Sequence, residues 1–131
     1  MITVLSFWTF DIFHAGHAYY LREAKKHGDK LVTIVARDAT VERFKGKPPR
    51  HNEETRRKAV EESGIADIVV LGELENYYAC IITYQPQIIC LGYDQQHLAD
   101  GLERFLSSHD MDINVIRIPP FKPDIYKSSK L

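Results

Sequence analysis

The 131-residue sequence predicts an α/β fold: a single Rossmann-like domain over residues 1–131, with a five-stranded parallel sheet and helices on both faces. Three observations carry that prediction. Short apolar runs alternate with longer amphipathic segments, the sequence form of successive βα units. The runs are too uniformly apolar for half-exposed strands and fit strands covered on both faces. The length suits one core, because a chain of this size buries roughly two-thirds of its unfolded surface.

The elements follow in order. "ITVLSFW" (2–8) is the first strand and "LVTIVA" (31–36) the second. Between them "GHAYYLREAKKHGD" places Ala18, Leu21, Ala24 and Lys25 near one stripe of a helix. Gly28 is read as the left-handed residue that stops it. In "RDATVERFKGKPPRHNEETRRKAVEESGIAD", Gly46, Pro48 and Pro49 break any helix, so 37–51 reads as a mostly mobile, basic excursion. Asn52 is the expected N-cap of the helix that follows. "IVVL" (68–71), "IICL" (88–91) and "INVIRI" (113–118) complete the sheet, with helices near 75–84 and 96–108 between them.

Composition narrows the function. The 17 Lys+Arg balance 18 Asp+Glu, so no global field attracts nucleic acid or an anionic membrane, and any anion site is local. Cys80 and Cys90 match no close-spaced zinc or redox motif, and "MITVLSFWTF" lacks a basic leader. A reduced, cytoplasmic protein is expected, with no transmembrane run.

The segment "TFDIFHAGHAYYL" (9–21) carries the chemistry. It follows the first strand and opens the first helix, at the rim where open α/β sheets bind ligands. Gly16 allows close backbone approach, the helix start offers free N–H groups to an anion, and His14 and His17 share one helical face. Together these suit a phosphate chain: imidazoles donate hydrogen bonds to non-bridging oxygens as charge develops, with no covalent intermediate. Asp11, His14 and His17 also have the donor types of a zinc site, but Gly16 has no purpose there.

"TFDIFHAGHAYYL" resembles the HxGH signature of the nucleotidyltransferase superfamily, in its small cytidylyltransferase-like branch. That branch includes glycerol-3-phosphate cytidylyltransferases and archaeal-type FAD synthases. "AKKHGDKLVTIVARD" (24–38), "KGKPP" followed by "EETRR" (45–57), "LGYDQ" (91–95) and "YKSSK" (126–130) agree in order and spacing, so the resemblance spans nearly the whole chain. It implies that Thr9, Phe10, His14, Gly16 and His17 hold the triphosphate, with His14 and His17 stabilising the transition state. Lys45 and Lys47 match the lysines of a loop that closes on the phosphates, Lys47 among the catalytic groups. Arg56, Gly92, Asp94, Ser128 and Ser129 match further nucleotide-binding positions, Asp94 near base and sugar. No protein metal ligands are implied. The partners implied are a nucleoside triphosphate, ATP or CTP, with Mg²⁺, and a small phosphorylated acceptor, in a homodimer.

"VARD" and "LGYDQ" resemble the archaeal-type FAD synthases more than the cytidylyltransferases, which tend to show "GDDW" at the second site. The expected reaction is therefore AMP transfer from ATP to FMN; glycerol-3-phosphate cytidylyl or sugar-phosphate nucleotidyl transfer is the alternative within the class. Three departures from the family pattern stand out, and the first two, at Trp8 and at the missing arginine, motivate a reading from another class, a catalytically weak nucleotide-binding protein. Trp8 stands where the family usually has Gly, and its indole either crowds the phosphates or turns into the core. The arginine before the serine pair has Lys122 as its nearest counterpart, which loses the bidentate fork. Ser129 lies two residues from the end, so its helix needs further residues or a partner subunit.

Overall fold

The computed structural model describes residues 1–11, 13–74, 78–93 and 95–119, without the side chain of His97. Five parallel strands, β1 (Thr3–Trp8), β2 (Lys30–Val35), β3 (Ile68–Leu71), β4 (Ile88–Gly92) and β5 (Asn114–Ile118), lie in the order β3-β2-β1-β4-β5. The helices are α1 (Ala15–Lys25), α2 (Asp38–Lys45), α3 (Glu53–Glu62), α4 (Ala79–Tyr84) and α5 (Gln96–Ser108). Strand order reverses between β1 and β4, so the crevice beyond their carboxyl ends is the expected ligand site.

The apolar runs are continuous because each strand feeds two cores. Leu5, Phe7, Val32, Ile34, Ile89 and Leu91 pack under α4 and α5, with Ile81, Leu98 and Leu102. Val4, Leu31, Val35 and Cys90 pack under α1 and α3, with Leu21 and Val60. Burying a leucine or phenylalanine fully is worth about 1.5–3 kcal/mol, which the helices on either face supply. The buried hydroxyls of Ser6 and Thr33, neighbours in the β1–β2 register, satisfy each other at 2.9 Å.

Two local expectations are corrected. Gly28 is not the left-handed stop: among the described residues the glycines with positive φ are Gly46 and Gly64. Gly28 is needed for space, because a Cβ there would lie 2.7 Å from Val4 Cγ2 and 2.8 Å from the Ile2 carbonyl oxygen. The excursion 37–51 contains α2, and Gly46 ends that helix rather than preventing it. At φ 78° Gly46 adopts the left-handed cap and donates its N–H to the Glu42 carbonyl at 2.8 Å. With only Thr40 and Val41 buried, the apolar stripe of α2 is too narrow to show as periodicity. Asn52 caps α3 as expected, its side chain accepting from Thr55 N at 2.8 Å.

Candidate active site

At the end of β1 the chain turns through Thr9 and Phe10 into α1. Phe10 sits at φ 55°, a left-handed conformation rare for an aromatic residue, while its ring is buried among Trp8, Phe13, His17 and Tyr20. Burial of that ring and the bonds around it offset the backbone strain. The Thr9 carbonyl accepts from Arg56 Nη1 at 2.8 Å. Asp11 accepts the N–H groups of Arg50 and His51, each at 3.0 Å, tying the β1–α1 loop to the approach to α3. Burial pushes the Asp11 carboxyl up, but these bonds and the nearby Arg56 and His51 charges outweigh it and hold it below its ordinary value.

The two histidines cap the helix reciprocally. His14 is the N-cap and its Nδ1 accepts from Gly16 N at 3.0 Å; His17, three residues on, returns Nδ1 to the His14 N–H at 3.3 Å. The arrangement is a capping box with imidazoles in place of hydroxyl and carboxylate. A backbone N–H can only donate, so each Nδ1 offers a lone pair and the proton of each neutral ring sits on Nε2. The rings stack with centroids 3.9 Å apart at 23°. Burial lowers the pKa of His14, keeping it in the neutral form that the cap requires. Gly16 answers to the same geometry: a Cβ on it would meet His14 Cε1 at 2.8 Å. The glycine between the histidines makes room for the first imidazole.

Trp8 turns toward α1. Its indole stands edge-on to His17 and Tyr20, with centroids 5.3 and 4.8 Å away, and helps pack that side of the core. Of the two orientations expected for the indole, the structure shows the one packed against the core, edge-on to His17.

Arg56, expected at a nucleotide-binding position, is held by the protein itself. Its guanidinium is buried and donates to His51 O at 2.9 Å, Thr9 O at 2.8 Å, Ala36 O at 2.6 Å and Asp38 Oδ1 at 2.8 Å. It joins the ends of β1 and β2 to the start of α2 and the turn before α3. Arg37 extends the joint, donating to Gly72 O at 2.7 Å and to Glu53 at 3.1 Å, while Glu53 also accepts from Asp38 N at 2.9 Å.

Lys45 and Lys47 lie exposed at the end of α2 and just beyond it. Among the described residues neither forms a salt bridge. Across the crevice Gly92 ends β4; its N–H donates to Gln95 Oε1 at 2.7 Å and its carbonyl accepts from Arg117 Nε at 3.1 Å. Asp94, Ser128, Ser129 and Lys122 lie outside the described residues. Asp11, one arm of the zinc alternative, has both carboxylate oxygens engaged by the backbone of Arg50 and His51. The sequence reading missed Tyr20, Gln95, Arg117 and the Arg37–Glu53 pair; the "Q" of "LGYDQ" was the available signal for one of them.

A parallel sheet with a reversal beside β1, an imidazole-capped helix after that strand and a basic arm beyond β2 form a crevice suited to a phosphate chain. The chain belongs to the cytidylyltransferase-like family, which it matches over residues 9–131. It is 39% identical to the FAD synthase of Thermoplasma acidophilum over 129 residues, 98% of this chain and 90% of that one. The FAD synthase of Aciduliprofundum boonei is 41% identical over 121 residues, 92% of this chain and 80% of that one. Among solved structures, the lipopolysaccharide core biosynthesis protein of Thermoplasma volcanium GSS1 superposes with a TM-score of 0.85 at 37% identity, covering 93% of this chain and 99% of that one. A pantoate-beta-alanine ligase from Francisella tularensis shares the fold alone, with a TM-score of 0.64 at 11% identity over 92% of this chain and 63% of that one.

Proposed function

We propose that this nucleotidyltransferase moves AMP from ATP to FMN, forming FAD and pyrophosphate. The observation that carries the chemistry is the reciprocal cap, which stacks two neutral imidazoles at a helix N-terminus beside the sheet reversal. Similarity to FAD synthases over nearly the whole chain supports the choice of substrates.

In this reading the triphosphate lies along the start of α1. His14 and His17 donate from Nε2 to non-bridging oxygens, more strongly as charge builds in the transition state. An oxygen of the FMN phosphate, already anionic at neutral pH, forms the new bond to the α-phosphorus. The bond from that phosphorus to the bridging oxygen breaks, and pyrophosphate leaves with the electron pair. No general base is needed. Lys45 and Lys47 close on the phosphates, and Thr9, Phe10, Gly16 and Gly92 shape the crevice. Asp94 takes the base or sugar, and Ser128 and Ser129 the phosphates, as the resemblance implies.

Among the described residues the crevice offers imidazoles, the Asp11 carboxylate and the first N–H groups of α1 being already engaged. Mg²⁺ would therefore enter with the nucleotide, held by its phosphate oxygens and water rather than by these side chains. When bound, the ion neutralises phosphate charge. Arg56 acts in this reading as the brace of the rim, since its donors are met by protein acceptors.

The test is a panel of ATP and CTP against FMN, glycerol 3-phosphate and sugar phosphates, read by pyrophosphate release and product mass. FAD from ATP and FMN is expected. CDP-glycerol from CTP without FAD from ATP would reassign the substrates, and nucleotide binding without pyrophosphate from any pair would favour the weak binding protein. The homodimer and a cytoplasmic location belong to the same proposal; light scattering at assay concentration tests the first. Among the described residues no helix is long and apolar enough to cross a membrane.

A further inference from the structure

β1 pairs with β2 along its whole length, from Thr3 opposite Lys30 to Trp8 opposite Val35. Against β4 the ladder runs only from Val4 opposite Ile88 to Ser6 opposite Cys90. Beyond that point the strands part, which opens the crevice and strands the backbone groups of Phe7 and Gly92 in a buried setting. Unpaired, each costs about 1–3 kcal/mol. Two side chains take them up. The Tyr20 hydroxyl donates to Cys90 O at 2.6 Å and accepts from Phe7 N at 3.2 Å. The amide of Gln95, buried at 9% exposure, accepts from Gly92 N at 2.7 Å and donates from Nε2 to Phe7 O at 3.0 Å.

The Gln95 bridge differs from the tyrosine in what it joins. Phe7 lies two residues before Thr9, where the loop to His14 and His17 begins. Gly92 begins the turn that Gln95 closes, through Gln95 N to Gly92 O at 3.2 Å. Arg117 holds the same turn from β5, through Gly92 O at 3.1 Å, Tyr93 O at 2.9 Å and Gln96 Oε1 at 3.0 Å. Hence the Gln95 amide, beside the Tyr20 bridge from Phe7 to Cys90, ties the turn after β4 to the end of β1 from which the histidine loop departs. Its orientation is dictated by its partners, since an N–H must meet the oxygen and a carbonyl must meet the nitrogen.

We infer that Gln95 is a positioning residue for nucleotidyl transfer, holding the two lips of the crevice in register so that groups on the β4 side meet the phosphates bound on the β1 side. The inference rests on the nucleotidyl-transfer reading and not on the identity of the acceptor. It requires a donor and an acceptor on one side chain, a requirement that makes Gln95→Glu informative. As a carboxylate, the variant still accepts from Gly92 N but sets an oxygen against the Phe7 carbonyl. As a neutral acid it supplies the missing donor. Burial and the facing carbonyl both favour the neutral form.

The experiment compares wild type, Gln95→Met and Gln95→Glu in steady-state kinetics between about pH 6 and 8, with melting curves at each pH. Each variant is expressed as a ratio to wild type at the same pH. The ratio cancels any pH dependence that wild type and variants share. The groups that face the Gln95 amide are the Tyr20 hydroxyl, which also reaches the Phe7 carbonyl at 3.4 Å, and the Arg117 guanidinium on the Gly92 carbonyl at 3.1 Å. Gln95→Met is expected to lower kcat by about 100-fold with a smaller change in KM for the nucleotide, the scale of an ångström-sized misplacement. The Gln95→Glu ratio is expected to rise as the pH falls, while that of Gln95→Met stays flat. Wild-type kcat and KM in Gln95→Met with only a lower melting temperature would overturn the inference, as would a Gln95→Glu ratio that does not change with pH. If Gln95→Met does not fold, the Gln95→Glu profile alone decides. The series is run with the nucleotide and acceptor that wild type turns over, so absence of FAD would count against the substrate reading and not against Gln95.

Discussion

On the proposed mechanism, the β1–α1 loop and the Lys45–Lys47 arm would meet the phosphates in opposite ways. In the loop the described residues are held in place before a ligand arrives: His14 and His17 cap one another's backbone through Nδ1, Phe10 is held at positive φ, and Arg56 and Asp11 tie the segment down. In the arm, two exposed cations stand beside a left-handed glycine at the end of a two-turn helix. Donors aimed at developing charge act best when they cost no reorganisation at the moment of reaction. Charges that must admit a substrate and then enclose it act best when free to move. If the proposed mechanism holds, the difference teaches that a neutral, pre-set histidine loop and a basic, exposed arm serve different stages of one reaction.

The sharpest way to break the contrast is to remove the joint between the regions. Arg56→Met leaves the Thr9, Ala36 and His51 carbonyls without their guanidinium donor. A loss of about 3 kcal/mol or more is expected in chemical denaturation, since each buried acceptor left unpaired costs about 1–3 kcal/mol. Retention of wild-type stability would mean that Arg56 is available to the nucleotide rather than spent on the rim. Next in size, His17→Ala should lower kcat by about 100-fold or more with the fold intact, the effect of deleting one oxyanion-type donor. Unchanged turnover in the folded variant would remove His17 from the chemistry.

Gly16→Ala sharpens the comparison inside the loop. The added methyl would lie 2.8 Å from His14 Cε1, so the ring must leave its cap. A stability loss of about 1 kcal/mol, the usual worth of an N-cap, should accompany a fall in kcat. In the arm the pattern should reverse: neutralising Lys45 and Lys47 together should raise KM for the nucleotide by about 10- to 100-fold, from lost charge-assisted bonds worth about 1.5–3 kcal/mol in the closed state. Melting should not shift, because exposed charges add little stability. A large fall in melting temperature with normal kinetics would make the arm structural.

How much of this was legible follows from the range of each interaction. The five strands were readable because burial on two faces leaves its mark within six residues, and Asn52 was readable because a cap acts within one turn. The histidine pair could be placed at the rim, but the purpose of Gly16 could not, because it depends on which way the His14 ring turns. Arg56 was read as a nucleotide-binding position, and its bracing role was hidden because its acceptors are carbonyls of Thr9 and Ala36, 47 and 20 residues away. Backbone oxygens carry no residue signature. Gln95 was hidden for the same reason, bonded to Phe7 across 88 residues. α2 escaped because two buried positions make no period, and Gly46 and two prolines beyond it spoke louder.

The smallest effect is a titration, and it bears on the loop alone. The His14 cap needs a lone pair on Nδ1, which protonation would replace with an N–H facing the Gly16 N–H. Burial lowers the folded-state pKa below the ordinary 6.5. The folded protein therefore binds fewer protons than the unfolded chain between the two values, and stability rises with pH through that window. The contribution of the cap is fully present above about pH 6.5, the unfolded value, and is lost as the pH falls from there through the folded pKa. Following the His14 Cε1 proton by NMR, in the folded protein and in denaturant, should give a lower midpoint for the folded form. The acid limb of kcat, where the ring no longer holds its neutral Nε2 donor in place, should track that lower midpoint. A folded midpoint at or above that of the unfolded chain would mean the ring tolerates protonation in the cap, and the assignment of the proton to Nε2, with the fixed character of the loop, would fail.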